Sequence, residues 1–210
     1  MPVPESPTAS LTFAAVASTL RSAGCVFAEE EAQLLFAEAS GPAQLADCVR
    51  RRAAGLPLEY ILGWAEFAGR RIKVGPGVFV PRRRTELLVK EAASILNAAG
   101  VSASAVVLDL CCGSGAVVAI RSMPPEARLH ESRLSLDGGT DGLDVHGRVA
   151  AAARKWLDPA GHVLIETSGQ QAAGTASVLS AAGFAVRTAR SEQLDGTVVV
   201  GTVVAGTEPR

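Results

Sequence analysis

The segment Asp109-Leu-Cys-Cys-Gly113-Ser-Gly115, together with the break that follows it, limits the possible folds more than any other stretch of this chain. An apolar run, Ala105-Val-Val-Leu108, leads into it, and a second apolar stretch, 116–120, leads away. A strand, a glycine turn and a helix start in that order open a nucleotide-type cofactor site in an α/β sheet. Such a site needs a second strand with an acidic tip about twenty residues further on. Here the chain runs into Arg121-Ser-Met-Pro124-Pro125 instead. Adjacent prolines cannot continue a helix, because each lacks an N–H and constrains the residue before it.

Length and charge set the outer limits. The 210 residues carry 20 basic and 21 acidic side chains, a balance that gives no general attraction to nucleic acid or to a membrane surface. No apolar run reaches the ~18–20 residues needed to cross a bilayer. The first residues, Met1-Pro-Val-Pro-Glu-Ser-Pro, lack the basic and apolar regions of a signal peptide. Cys25, Cys48 and the neighbours Cys111-Cys112 fit neither a disulfide framework nor a zinc pattern. A reducing, cytoplasmic setting is the expectation.

The first fifty-odd residues read as three short helices. Phe13, Val16, Ala17 and Leu20 fall at helical spacing after a cap at Ser10, with Gly24 as the stop. Glu29, Glu30 and Glu31 open a second helix, where they suit the macrodipole, and Leu45, Cys48, Val49 and Ala53 line a third. Leu58–Leu62 and 70–74 have strand-like composition around Gly63 and a turn at Ala68-Gly69, so a hairpin connector is expected. A helix with Leu88, Ala92, Ile95, Leu96 and Ala99 on its apolar face follows, capped by Gly100. Downstream, a helix from Asp144 presents Val145, Val149, Ala153 and Trp156. A strand at 162–166, a helix at 170–182 and strands near 185–189 and 197–204 complete the chain. Strands alternating with helices predict an α/β sheet, closed by an antiparallel hairpin.

The glycine loop taken alone fits a structural turn as well as a cofactor site. No Gly-Lys-Ser/Thr follows, which excludes a P-loop, and a third fingerprint glycine is absent. The flanking segments add a resemblance. Arg52-Ala-Ala-Gly-Leu-Pro57-Leu-Glu-Tyr60-Ile-Leu-Gly63-Trp-Ala-Glu66-Phe67 is followed by Val78-Phe-Val-Pro81-Arg82-Arg-Arg-Thr85-Glu86. This run resembles the connector of the HemK/PrmC-type peptide chain release factor glutamine methyltransferases, with their proline-arginine-x-x-threonine-glutamate pattern. Leu136-Asp-Gly138-Gly139-Thr-Asp141-Gly142-Leu143 and the tail from Trp156 through Glu166 and Gln170 or Gln171 to Gly201 are similar to the same family.

The resemblance implies a fold and a reaction. The fold is an α/β, Rossmann-like S-adenosylmethionine methyltransferase domain (85–210), preceded by a small helical bundle (1–56) and a β-hairpin connector (57–84). The reaction moves the methyl group of S-adenosylmethionine to the side-chain amide nitrogen of a glutamine in a release factor. Asp109, Cys111, Cys112, Gly113, Ser114 and Gly115 match the cofactor loop, with Cys111 where the family has glycine. Pro81, Arg82 and Thr85 match the substrate-side motif. The three histidines are scattered, and no metal-ligand cluster is expected.

Two family elements are missing from the sequence: the acidic strand tip that holds the ribose, and the asparagine-proline-proline-tyrosine loop that grips the glutamine. Ser122-Met-Pro124-Pro125-Glu126 is no substitute, since it lacks both the amide and the aromatic ring. Two βα units, on the order of 60 residues, are absent after Ile120. No catalytic residue is therefore identifiable. The expectation is an incomplete enzyme or a non-catalytic protein-binding remnant, with a release factor as the protein partner. Open sheet edges left by lost strands predict dimerisation or aggregation. Arg50–Arg52, Arg70-Arg71 and Arg82–Arg84 read as solvated surface rather than as a nucleic-acid footprint.

Overall fold

The computed structural model describes residues 11–100, 105–108, 110 and 142–204, which divide into two compact units. One unit takes in 11–65 and Ile72–Gly77; the other takes in Glu66–Arg71 and the described residues from Val78 onward.

The first unit is helical. Helices α1 (Phe13–Ser22), α2 (Ala28–Glu38), α3 (Pro42–Ala53) and α4 (Leu58–Leu62) share one core. Val16, Leu20, Ala28, Ala32, Leu35, Leu45 and Val49 are buried in it, as the 3.6-residue spacing predicts. The cap of α1 is Thr12, whose hydroxyl accepts the Ala15 N–H at 3.3 Å; Ser10 lies outside the described residues. Arg52 of α3 grips Glu31 of α2 through Nε–Oε2 at 2.6 Å and an Nη–Oε1 contact at 3.1 Å. The same guanidinium donates to the Leu56 carbonyl at 3.3 Å.

One expectation is overturned here. Leu58–Leu62 is a helical turn, not a strand. Its β-like composition yields to its ends: Pro57 precedes the first helical residue, and Gly63 closes the turn at φ +80°. A residue with a Cβ is strained in that left-handed conformation, so glycine ends the helix there. The hairpin starts later, with β1 (Trp64–Phe67) and β2 (Arg70–Lys73) joined at Ala68-Gly69, both at positive φ.

In the second unit a three-stranded sheet has the order β3-β5-β4, with β3 (His162–Thr167), β4 (Phe184–Ser191) and β5 (Gly196–Val203). The central strand is antiparallel to both neighbours, from His162↔Thr202 on one side and Phe184↔Val203 on the other. Strands β3 and β4 are therefore parallel to each other and joined through helix α7 (Ala172–Ala181). The β4–β5 pair is the expected closing hairpin.

Both faces of the sheet are covered, so Val198, Val199 and Val200 form a continuous apolar run rather than an alternating one. Helix α5 (Glu86–Ala99) packs Leu87, with Leu88 and Ile95, on Val198, Val200 and Leu164. Helix α6 (Asp144–Trp156) and α7 cover the opposite face around Val163, Ile165, Val199 and Leu179.

Three details differ from the sequence reading. In α5 the buried residue is Leu87, and Ala99 is exposed beside the Gly100 cap. In α6 the buried side chains are His146 and Ala150, and Val149 and Ala153 pack partly buried beside them, whereas Trp156 is 82% exposed in the last turn. Residues 105–108, expected as a strand, form none. Val106 is 98% exposed, and Val107 and Leu108 are exposed beside it. A strand needs neighbours for its backbone groups, and among the described residues no strand pairs with this segment.

Candidate functional site

Ligands of open α/β sheets sit at the carboxyl ends of parallel strands. In the described residues that place is the end of β3, where Glu166 and Thr167 are both buried. The motif Pro81–Glu86 meets it. Pro81 and Thr85 are buried and Arg82 is half-buried, its guanidinium carbon 5.2 Å from the centre of the buried Phe79 ring. Arg82 is also the start of a 3-10 turn (Arg83–Thr85), closed by Thr85 N–H donating to the Arg82 carbonyl at 2.9 Å.

The turn is tied to the sheet. Arg84 Nε donates to Glu166 Oε1 at 3.1 Å. Burial pushes the Glu166 carboxyl above its ordinary value; the Thr85 hydroxyl and then the Arg84 charge oppose this. The hydroxyl faces the carboxylate without reaching hydrogen-bond geometry, and among the described residues neither Thr85 Oγ1 nor Glu166 Oε2 has a hydrogen-bond partner. Thr85 does not cap α5 with its side chain, although threonine commonly does so at a helix start. Glu86 Oε1, in the first turn of α5, accepts the Ala68 N–H at 3.1 Å.

A second buried polar cluster lies beside it. Thr175 Oγ1 of α7 is within 3.2 Å of Thr167 Oγ1 and 3.1 Å of His146 Nδ1. Ser168 Oγ accepts the Gln171 N–H at 3.1 Å in the turn leading to α7. His146 is thus a packed structural histidine. His162 faces Thr202 at 2.9 Å and is held below its ordinary pKa, by burial first and the nearby Arg187 second. His130 lies outside the described residues.

The structure therefore brings Pro81, Arg82 and Thr85 together at the end of β3. The cofactor-loop candidates Asp109, Cys111, Cys112, Gly113, Ser114 and Gly115 lie outside the described residues. Sequence reasoning gave no site role to Arg84, or to the ion pair it forms with Glu166. The signal was available only in part: an acid at the end of an apolar strand suggests a buried carboxylate, but nothing local names its partner 82 residues away.

Other features carry less chemistry. Among the described residues no group of histidine, cysteine or acidic side chains could hold a metal ion, and no helix is long and apolar enough to cross a membrane. Cys25 and Cys48 are buried free thiols. The arginine runs are partly neutralised: Arg50 and Arg51 pair with Asp47, Arg52 with Glu31 and Arg84 with Glu166. A shallow groove of about 610 Å³ between α7 and β4, lined by Ser177, Ser180, Arg187 and Thr188 among others, holds no acid, histidine or thiol.

No protein-family model matches the chain. Individual proteins do. A release factor glutamine methyltransferase from Geobacter sulfurreducens is 28% identical over 211 residues, covering 68% of this chain and 72% of its own length. The protein of that name from Burkholderia pseudomallei is 45% identical over 111 residues, and that from Bifidobacterium longum 40% over 122. This chain is a relative of the release factor glutamine methyltransferases.

Matches to those last two methyltransferases cover 52% and 48% of this chain, but only 35% and 41% of the relatives' own lengths. The Geobacter alignment carries a deficit of its own. It is 211 residues long yet takes in 68% of a 210-residue chain, about 143 residues, so about 68 positions of the methyltransferase have no counterpart here. That deficit is close to the size of two βα units, on the order of 60 residues.

Proposed function

We propose that this chain is an incomplete release factor glutamine methyltransferase, in which S-adenosylmethionine binding and methyl transfer are weak or lost. The observation that carries the reading is the exposed segment 105–108, which should enter the sheet directly ahead of the cofactor loop. The about 68 unmatched positions in the Geobacter alignment support it.

In this reading 85–210 is the remainder of a Rossmann-like domain, and 1–56 and 57–84 are the helical unit and hairpin before it. Asp109 and the loop Cys111, Cys112, Gly113, Ser114 and Gly115 are the remnant of the cofactor cradle. Pro81, Arg82 and Thr85 are its substrate-side neighbours. The residues do not make a full S-adenosylmethionine site in this reading: the approach to the loop stands exposed, and the sequence has no acidic second-strand tip for the ribose. No chemical step is therefore assigned through it.

The loss has a mechanistic consequence. Direct methyl transfer depends on holding the amide nitrogen in line with the sulfonium methyl. A carboxamide nitrogen is a poor nucleophile because its lone pair is delocalised, so orienting hydrogen bonds matter greatly. The chain has no asparagine-proline-proline-tyrosine loop to supply them. Calorimetric titration with S-adenosylmethionine, paired with a release-factor methylation assay, tests the reading.

A second reading is favoured by one observation. Helices α1–α4 have a core of their own. A non-catalytic remnant could keep a release-factor contact through this unit. Capture of the release factor by a chain that shows no cofactor binding would support it over the first reading.

A further inference from the structure

The turn bearing Arg82 and Thr85 is held by groups far away in sequence. Glu166 holds it through the Arg84 side chain, and Gly196 lies against the Arg84 carbonyl. The Glu166 side chain is 3% exposed, while that of Arg84 is 43% exposed. Surface ion pairs contribute little, but here separation would strand a buried carboxylate without its cation. That asymmetry keeps the pair closed. The proline-arginine-x-x-threonine-glutamate pattern leaves position 84 open, so this arginine is not dictated by the motif.

We propose that Glu166 is a positioning residue: acting through Arg84, it locks the 83–85 turn onto the end of β3 and sets where the Arg82 guanidinium stands over Phe79. Because Arg82 begins the turn and its carbonyl accepts the Thr85 N–H, a turn held to the sheet fixes the backbone from which the Arg82 side chain reaches the Phe79 ring. The consequence for substrate rests on the functional reading above, in which Arg82 is a substrate-side residue. The latch itself does not.

The test is hydrogen exchange on the full chain, comparing a peptide spanning the turn with one from β5, together with the ring-current-shifted Arg82 Nε–H signal in NMR. In Glu166→Gln the turn should exchange roughly tenfold faster or more, the factor expected from weakening a charge-assisted hydrogen bond. The β5 peptide should be unchanged, and the Arg82 signal should lose its ring shift. The exchange Arg84→Glu with Glu166→Arg should restore both. If Glu166→Gln does not fold, Arg84→Gln at the more exposed partner gives the same comparison. An unchanged turn, an equal change in turn and β5, or an unmoved Arg82 signal would overturn the proposal. A chain that fails to bind S-adenosylmethionine leaves these readouts intact, so the two ideas fail separately.

Discussion

The carbonyl oxygen of Arg84 lies 2.8 Å from where a Cβ on Gly196 would stand, and Leu87 Cβ lies 3.2 Å from the same point. The start of β5 therefore accepts the turn only because residue 196 has no side chain. Gly196→Ala should destabilise the chain by about 1–3 kcal/mol, as overpacking against rigid backbone does. Gly201→Ala meets Val163 Cγ1 at 3.0 Å and Phe184 Cβ and Cγ at 3.1 Å, contacts slightly longer than that to the Arg84 carbonyl and made to side chains rather than to backbone. Its urea midpoint should fall less, and the reverse order would contradict this packing.

Burial holds the Glu166 carboxyl above its ordinary value of 4.5, against the pull of Thr85 and Arg84. The native state therefore keeps that proton to higher pH than the unfolded chain does. Linkage then removes stability as pH rises from the unfolded value through the native one. Denaturant titrations across this window should show the wild type losing stability relative to Glu166→Gln as pH rises. A relative gain would mean that the Arg84 charge outweighs burial.

Arg52 joins α3 to α2 through a two-bonded, largely buried pair with Glu31 and donates to the Leu56 carbonyl beyond its own helix. Arg52→Ala should cost roughly 1.5–3 kcal/mol, the range for lost hydrogen bonds to a charged group. Arg52→Lys should recover only part of it, because an ammonium cannot reproduce the planar fork. Thermal melts of the three chains check this, and full recovery by lysine would contradict it.

Trp156 looks like a core residue by its spacing with Val149 and Ala153, yet it is 82% exposed. Trp156→Gln should shift stability by no more than about 0.5 kcal/mol. A loss of several kcal/mol would place the indole in the core after all.

These cases show what was legible. Helical periodicity found Val16, Ala17 and Leu20, and a strand near 197–204 was legible too, because burial writes itself into local pattern. Leu58–Leu62 misled because its helix is decided by Pro57 and Gly63 rather than by its own side chains. Residues 105–108 misled because strand formation needs partners, and an apolar run by itself does not name them. The motif at Pro81, Arg82 and Thr85 was visible as a pattern. Its attachment through Arg84 to Glu166 was not, since the pair spans 82 residues of chain.

The most direct measurement is calorimetric titration of the full chain with S-adenosylmethionine, run beside an intact methyltransferase relative and followed by a release-factor methylation assay. The account predicts no saturable heat at concentrations that saturate the relative, and no methyl transfer above background. Saturable binding with turnover comparable to the relative would contradict it.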